Sequence, residues 1–347
     1  MCDYAITQIY PGDRSALAKI DALLAQEGIR RDGNLDYICA VLDELGHPIA
    51  TGSCFGATLR CLAVSREHQG EGLLNQVVSH LMEVQFARGN THLFLYTKIR
   101  TARFFADLGF SEIARVDGTL VFMENRKTGF SNYLKSLSSH TREGCSAALV
   151  MNANPFTLGH QYLVEQAAAQ CDWLHLFVLS EDASLVPFPV RRQLVQEGTA
   201  HQKNVILHDS GPYIISNATF PSYFLKDETQ VIQGHARLDL AVFARIAQTL
   251  NITHRYVGEE PTSQVTGLYN QIMAQELPKA GIACHILPRL THGETAISAS
   301  TVRQALQAGD FALVKELVPP STYRYFTSPE AEAVLHRLRN AGNVVHY

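Results

Sequence analysis

The sequence predicts an α/β protein in two parts, an α+β amino-terminal domain and a carboxyl-terminal domain built on a parallel sheet. Three observations carry that reading. The 347 residues exceed one ordinary domain and suffice for two, each with its own core. The alternation of strand-like and helix-like pieces breaks at 125–144, where NRKTGFSNYLKSLSSHTREG is polar, basic and Ser-rich. Beyond the break, apolar runs at 146–151, 174–179, 204–208, 254–257 and 282–287 are separated by helical patterns, the rhythm of βαβ units. The expected layout is therefore a first domain over 1–125, a linker helix over 126–143 and a second domain over 144–347.

Composition narrows the function classes. With 46% hydrophobic and 18% charged residues the chain is globular, and a net charge of -4 gives no general reason to expect nucleic acid. Seven scattered cysteines without a CxxC pair indicate neither a disulfide framework nor a zinc knuckle. The start MCDYAITQIYPGD holds acids and a Pro-Gly turn where a secretion signal needs an apolar stretch, and no run approaches the roughly 20 apolar residues of a membrane span. A cytoplasmic protein without a membrane partner is expected.

The first domain closes with the strand-like TLVFME at 119–124. Inside it, VSREHQGEGL (64–73) sets Gln69, Gly70 and Gly72 at the mouth of a helix whose Leu74, Val77, Val78 and Leu81 follow i, i+3, i+4, i+7 spacing. Glycines let the backbone approach a ligand, and the N–H groups of a helix start attract phosphate. The same residues also suit an ordinary Gly-rich turn. With TARFFADLGF at 101–110, the order strand, GxG, helix, strand, FFxxLGF resembles the acyl-CoA-binding core of the GCN5-related N-acetyltransferase family. Two positions depart from that family: Glu67 stands where Gln or Arg is usual, and Phe105 stands where many members carry a proton-donating Tyr. The resemblance implies an acetyltransferase-like domain, and the two departures lead to the expectation that it binds a CoA-like arm without acetylating amines.

The second domain opens with AALVM and then NANPFTLGHQ, which turns at Asn154-Pro155 and starts a helix with Thr157, Gly159 and His160 crowded in its first turn. Leu163, Val164, Ala167, Ala168 and Cys171 form the stripe that would hold this helix on the sheet. Such a helix start suits an anion; equally, Thr157 can serve as a plain cap and His160 as a surface residue. Near the far end, AISASTVRQAL places Ser298, Ser300 and Thr301 before a helix, with Arg303 one turn later and Val302, Ala305 and Leu306 on one face. A Ser/Thr cap with a surface arginine is the plain alternative. The two segments together resemble the [H/T]xGH…ISxSxxR signature of the nucleotidyltransferase superfamily, whose domain is Rossmann-like. That resemblance implies catalytic roles for Thr157, His160 and Arg303, and nucleotide-binding roles for Asn154, Gly159, Ser298, Ser300 and Thr301. It also implies Mg²⁺ carried with ATP and charge stabilisation at the α-phosphate and pyrophosphate.

Six segments spread over nearly the whole chain resemble, in the same order, one family in particular, the [citrate (pro-3S)-lyase] ligases: CLAVSREHQGEGL, FFADLGF, MNANPFTLGH, LSEDASLVPFPVRRQLVQEGT, VGEEPTSQVTGLYNQIM and AISASTVRQAL. The resemblance implies that ATP adenylylates acetate and that the acetyl group passes to the thiol of a CoA-like prosthetic arm on the acyl carrier subunit of citrate lyase. The competing expectations are an adenylyltransferase acting on a phosphorylated, phosphopantetheine-like small molecule, and an N-acetyltransferase with a nucleotide-binding appendage. Arg191 and Arg192 can reach pyrophosphate or acetate, or form a solvated helix face. Glu259 and Glu260 end a strand at the expected ligand edge and can meet ribose or adenine, or simply turn the chain. Glu181 and Asp182 can touch magnesium or be loop acids. The remaining histidines show no HExxH and no paired ligand spacing. Ser328 and Pro329 are expected to cap and open a final helix.

Overall fold

The computed structural model describes residues 5–181, 184–214, 220, 228–259, 264–293 and 295–341. Asp182 and Glu260 lie outside the described residues. The chain divides into two compact units: Met1–Phe130 with Pro221–Gly234, and Ser131–Phe220 with His235–Tyr347.

The first unit contains β1 (Ile6–Ile9), α1 (Arg14–Gln26), β2 (Tyr37–Leu42), β3 (Pro48–Phe55), β4 (Thr58–Val64), α2 (Leu73–Ala87), β5 (Phe94–Thr97), α3 (Ala102–Asp107), β6 (Ser111–Val116) and β7 (Leu120–Glu124). Its seven strands run in the order β1-β2-β3-β4-β5-β7-β6. Neighbours are antiparallel except β4 and β5, which pair in parallel at only two positions, Thr58 with Phe94 and Leu59 with Leu95. Beyond those two pairs the strands part, each keeping its other neighbour. The predicted stripe on α2 is buried at Val77, Val78 and Leu81, with Leu73 in place of Leu74 as the buried residue of the first turn. A helix's apolar stripe faces the core, and here the core is the sheet residues Cys39, Val41, Leu59 and Leu95.

The stretch read as a linker helix holds α4 (Gly129–Ser138). The second unit then carries β8 (Ser146–Met151), α5 (Leu158–Ala168), β9 (Trp173–Val178), α6 (Phe188–Thr199), β10 (Val205–Asp209), the later part of α7 (Glu228–Leu250), β11 (Ile252–Gly258), α8 (Gln264–Glu276) and β12 (Ala283–Leu287). A two-residue hairpin pair, β13 (Thr291–His292) and β14 (Thr295–Ala296), precedes α9 (Ala299–Ala308), α10 (Phe311–Leu317), α11 (Pro320–Phe326) and α12 (Glu332–Asn340). Five strands form a wholly parallel sheet in the order β10-β9-β8-β11-β12, each on one of the five apolar runs. β8 and β9, buried almost throughout, need continuous apolar runs, whereas β10 and β12 at the two edges keep most of their residues half-buried or exposed.

That strand order has one reversal. From β8 the chain builds outward through β9 to β10, then returns to the other side of β8 for β11 and β12. The carboxyl ends of β8 and β11 therefore flank the switch point, where open α/β sheets leave a crevice. Two expectations are corrected here. The α5 helix ends at Ala168, so Cys171 lies past it. Ser328 makes no side-chain cap; its hydroxyl donates to Tyr325 O at 2.8 Å, and Pro329 opens a short 3₁₀ turn, Pro329–Ala331, before α12. Among the described residues no helix is long and apolar enough to cross a membrane.

Candidate active site

The neighbourhood of the switch point is built from the start of α5 upward. Thr157, only 1% exposed, is the N-cap of α5 in extended conformation. Its hydroxyl oxygen accepts the His160 N–H at 3.3 Å, while its own N–H donates to His160 Nδ1 at 3.1 Å. The hydroxyl also lies 2.9 Å from Nδ1. This reciprocal capping box has a histidine in the position usually taken by Glu or Gln. Its chemical effect is to fix the tautomer: Nδ1 accepts, so the ring proton of the neutral imidazole sits on Nε2, directed away from the cap. Burial, followed by the positive charge of Arg289, lowers His160 to about 4. At neutral pH this residue is an uncharged donor.

Its ring is held from behind. Phe156, fully buried, stacks on the His160 ring with centroids 5.8 Å apart and planes 15° from parallel. Phe156 in turn occupies space that only a glycine at 198 leaves, since a Cβ there would stand 2.4 Å from the phenyl ring. A residue on α6 thus sets the orientation of a ring on α5.

The second signature segment reaches the same place. A Cβ on Gly159 would lie 3.0 Å from Ile297 O, so the first turn of α5 sits against the chain leading into α9. Ser298 caps α9, its hydroxyl accepting Thr301 N–H at 3.1 Å and lying 2.9 Å from Thr301 Oγ1. From the next turn Arg303 reaches across to donate to Asn154 O at 2.6 Å, and burial pulls its guanidinium down from the ordinary arginine value. Ser300 is half-buried in the first turn of α9. Thr157, Gly159, His160, Asn154, Ser298, Thr301 and Arg303 are thereby brought into one neighbourhood, and two helix N-termini with their positive dipole ends share it.

The other expected residues are placed differently. Arg191 has no exposed surface: Nε donates to Val186 O at 3.0 Å, Nη1 to Asn152 O and Leu179 O at 2.8 Å each, and Nη2 to Glu181 O at 2.6 Å. It braces the loops after β8 and β9 where a ligand-reaching or solvated arginine was expected. Arg192 is half-buried and pairs with Asp209 at 2.6 Å, nearer the solvated alternative. Glu259 follows β11 with its backbone bonded, N–H to Leu287 O at 2.8 Å and carbonyl to Arg289 Nε at 2.7 Å, and its side chain is exposed. Glu181 is engaged through its carbonyl. Asn154 does more than turn the chain: its Oδ1 accepts Val186 N–H at 3.0 Å. Sequence reasoning missed Arg289, Phe156 and Gly198. Only Gly198, a glycine inside a helical pattern, carried a signal, because that position costs stability unless packing requires it.

In the first unit, Gly70 and Gly72 take φ values of 93° and 81°, and a Cβ on either would meet nothing within 4 Å. Gly72 is the N-cap of α2, and Gln69 Nε2 donates to Val64 O at 3.3 Å. Phe105 is buried against Phe110 with ring centroids 6.5 Å apart. Among the described residues no group of three His, Cys, Asp or Glu side chains is arranged to hold a metal ion.

Comparison with known proteins bears on the whole chain. The model of the citrate lyase ligase C-terminal domain family matches residues 146–326. A [citrate [pro-3S]-lyase] ligase of Escherichia coli (strain K12) is 38% identical over 327 residues, covering 92% of each chain. Its counterpart from Klebsiella pneumoniae is 38% identical over 319 residues, 90% of this chain and 93% of that one. Among solved structures, an acetyltransferase of the GNAT family from Staphylococcus aureus Mu50 covers 35% of this chain and 100% of its own at 14% identity, with a TM-score of 0.30.

Proposed function

The chain belongs to the [citrate [pro-3S]-lyase] ligase family, and from that premise we propose that the crevice around His160 and Arg303 is where it adenylylates acetate. The protein is an ATP-dependent, AMP-forming acid–thiol ligase. The observation that carries the site assignment is the meeting of the two signature segments, 149 residues apart in sequence, in the Arg303–Asn154 bond.

The chemistry asks for little covalent work. An acetate oxygen attacks the α-phosphorus of ATP, the bond to the β-phosphate oxygen breaks, and pyrophosphate leaves. The thiol sulfur of the arm, its proton lost to water, then attacks the carbonyl carbon of acetyl-AMP, and AMP departs with the C–O electron pair. In the first step negative charge concentrates on the phosphate oxygens. His160 supplies a neutral Nε2–H donor whose direction is preset by the capping box, so no reorganisation is needed as the charge grows. Arg303 and the N-terminal turns of α5 and α9 add positive potential at the same place. Thr157 is a positioning residue, since its hydroxyl is occupied by His160. Mg²⁺ would neutralise part of the phosphate charge, and the donor set fits an ion carried on the nucleotide's own oxygens better than one held in a protein cage.

The first unit is read as the holder of the CoA-like arm carried by the citrate lyase acyl carrier subunit. The parting of β4 from β5, the open glycines at the start of α2 and the absence of a hydroxyl at Phe105 support binding without amine acetylation. Acetate-dependent exchange of radiolabelled pyrophosphate into ATP tests the adenylylation reading. Exchange that ignores acetate, or none at all, would end it. Cross-linking of the arm to residues 144–347 alone would end the holding role.

A further inference from the structure

We propose that Cys145 is a thiol-modification site: a peroxide oxidises its sulfur while the His254 imidazole takes the proton, and Cys171 then closes onto it as a disulfide. The inference stands apart from the adenylylation reading. These residues lie at the amino ends of β8, β9 and β11, the opposite edge of the sheet from the starts of α5 and α9.

The thiol is pinned by its own backbone. Cys145 O accepts the N–H groups of Asp172 and Trp173 at 3.0 and 3.1 Å, and Cys145 N–H donates to Asp172 Oδ2 at 2.7 Å. Gly144, at φ 97°, makes room for that carboxylate, since a Cβ there would stand 2.5 Å from Oδ2. On the other side Cys145 Sγ lies 3.6 Å from His254 Nδ1. The Thr253 hydroxyl is 2.9 Å from the same nitrogen and 3.4 Å from Ser146 O, so its hydrogen has a second acceptor and leaves Nδ1 to the thiol. The His254 ring stacks on His285 with centroids 5.3 Å apart, and His285 stacks in turn on Tyr256 at 4.8 Å. Because Ser146 pairs with Trp173, Cys145 stands beside Asp172. One residue back, the Cys171 Cα falls roughly 6 Å away at ordinary strand spacing, within the span of a disulfide.

The described cysteines are not equivalent. Cys39, Cys54 and Cys61 are buried, and burial pushes Cys39 and Cys61 up to about 12 and Cys54 up to about 11. Burial, then Cys145 and Asp172, push Cys171 up to about 11, so it stays protonated and reacts second. Among the described residues Cys145 alone combines partial exposure with a contact to an imidazole nitrogen, the surroundings of a reactive thiol. In the first step its sulfur attacks one peroxide oxygen and the O–O bond breaks. The thiol proton, relayed by His254 Nδ1, leaves with the hydroxide as water, and the sulfenic acid has given two electrons to the peroxide. The Cys171 sulfur then attacks Cys145 Sγ, the S–O bond breaks, and hydroxide departs with the Cys171 proton as a second water. Cys171 gives up its 3.2 Å bond to Ala167 O, which releases the last turn of α5.

The test treats the full chain with hydrogen peroxide, blocks the remaining thiols and maps the peptides by mass spectrometry. A Cys145–Cys171 cross-link should form while Cys39, Cys54 and Cys61 stay reduced. In Cys171→Ser the reaction should stop at a Cys145 sulfenic acid, captured by dimedone. His254→Phe keeps a ring for the stack and removes the acceptor, with His254→Asn as a second variant should the first lose its thermal midpoint. Alkylation of Cys145 by iodoacetamide at neutral pH should be about tenfold slower or more in either, as expected for losing a general base. That gap should close at a pH well above the ordinary thiol value of about 8.5, where the sulfur needs no acceptor; a merely structural histidine would leave a gap at every pH. Three results overturn the proposal: Cys145 oxidising no faster than the half-buried Cys284, a cross-link to a partner other than Cys171 or none at all, and an alkylation rate indifferent to both His254 variants.

Discussion

Each unit starts a helix on a glycine-bearing turn, and the two turns are built to opposite plans. At α2 the N-cap is Gly72, no side chain caps the helix, and the space beside Gly70 and Gly72 is open. At α5 the N-cap Thr157 and His160 bond each other in both directions, and Gly159 is pressed against Ile297 O. Both turns offer backbone N–H groups to an anion. Only the second adds a side-chain donor of fixed tautomer and a cation from a distant segment. A bare cradle can hold a phosphate, whereas stabilising charge that appears during a reaction needs donors aimed beforehand.

That contrast can be broken experimentally. The largest effect is expected from His160→Ala, which should lower acetate-dependent pyrophosphate exchange by about 10² or more, the usual loss for a transition-state donor. The folded chain should keep its ATP affinity, and full exchange would return α5 to the status of a plain capped helix. Next comes Gly198→Ala, where the new methyl collides with Phe156; overpacking of this kind costs about 1–3 kcal/mol and should lower both the thermal midpoint and exchange. Normal exchange in that variant would show that His160 does not depend on its stacked support. Gly72→Ala forces a left-handed residue at about 1–2 kcal/mol and should weaken transfer to the thiol arm more than exchange. Equal losses in both assays would erase the division of labour between the two turns.

The smallest effects near neutrality concern pH. Because His160 sits at about 4, the exchange rate should show no acid limb near pH 6.5 from this residue, and one that disappears in His160→Ala would refute the neutral-donor role. Away from the site, His175 and His208 bond each other at 2.9 Å, and burial first, then neighbouring positive groups, lowers them to about 4 and about 3. Both are depressed bases, so the unfolded chain binds protons below about 6.5 that the folded chain refuses. Their contribution is level above that pH, and stability should fall as pH drops from 6.5 toward 4. Denaturant titrations at pH 7.5, 6 and 5 measure it; a midpoint constant over that range would contradict the burial argument.

Much of the second unit could be read from residues because its logic is local and repetitive. The doubly buried β8 and β9 need apolar runs, and β10, β11 and β12 carry runs of their own despite greater exposure, so all five announced themselves. The hydroxyls and imidazole marked two helix starts in the same way, and the structure brings those starts together at Gly159 and Ile297 O. What stayed hidden depends on distance in space. Arg191 looked like any helix-face arginine because sequence cannot show that four loop carbonyls converge on it. Arg289 lay in a stretch without periodicity, and its bond to Glu259 O and its influence on His160 are visible only in space. The division into units shows the same limit: nothing in the residue pattern marks a segment ending at Gly234 as grouping with the first unit.

Arg191 also says something about motion. Its guanidinium ties carbonyls at Asn152, Leu179, Glu181 and Val186 into one knot, without solvent to lubricate it. Displacing any one of the four carbonyls would strain the bonds to the other three, so the ends of β8 and β9 and the start of α6 are held as one piece. A lysine in its place would cut most of those ties at once while leaving the sheet itself intact.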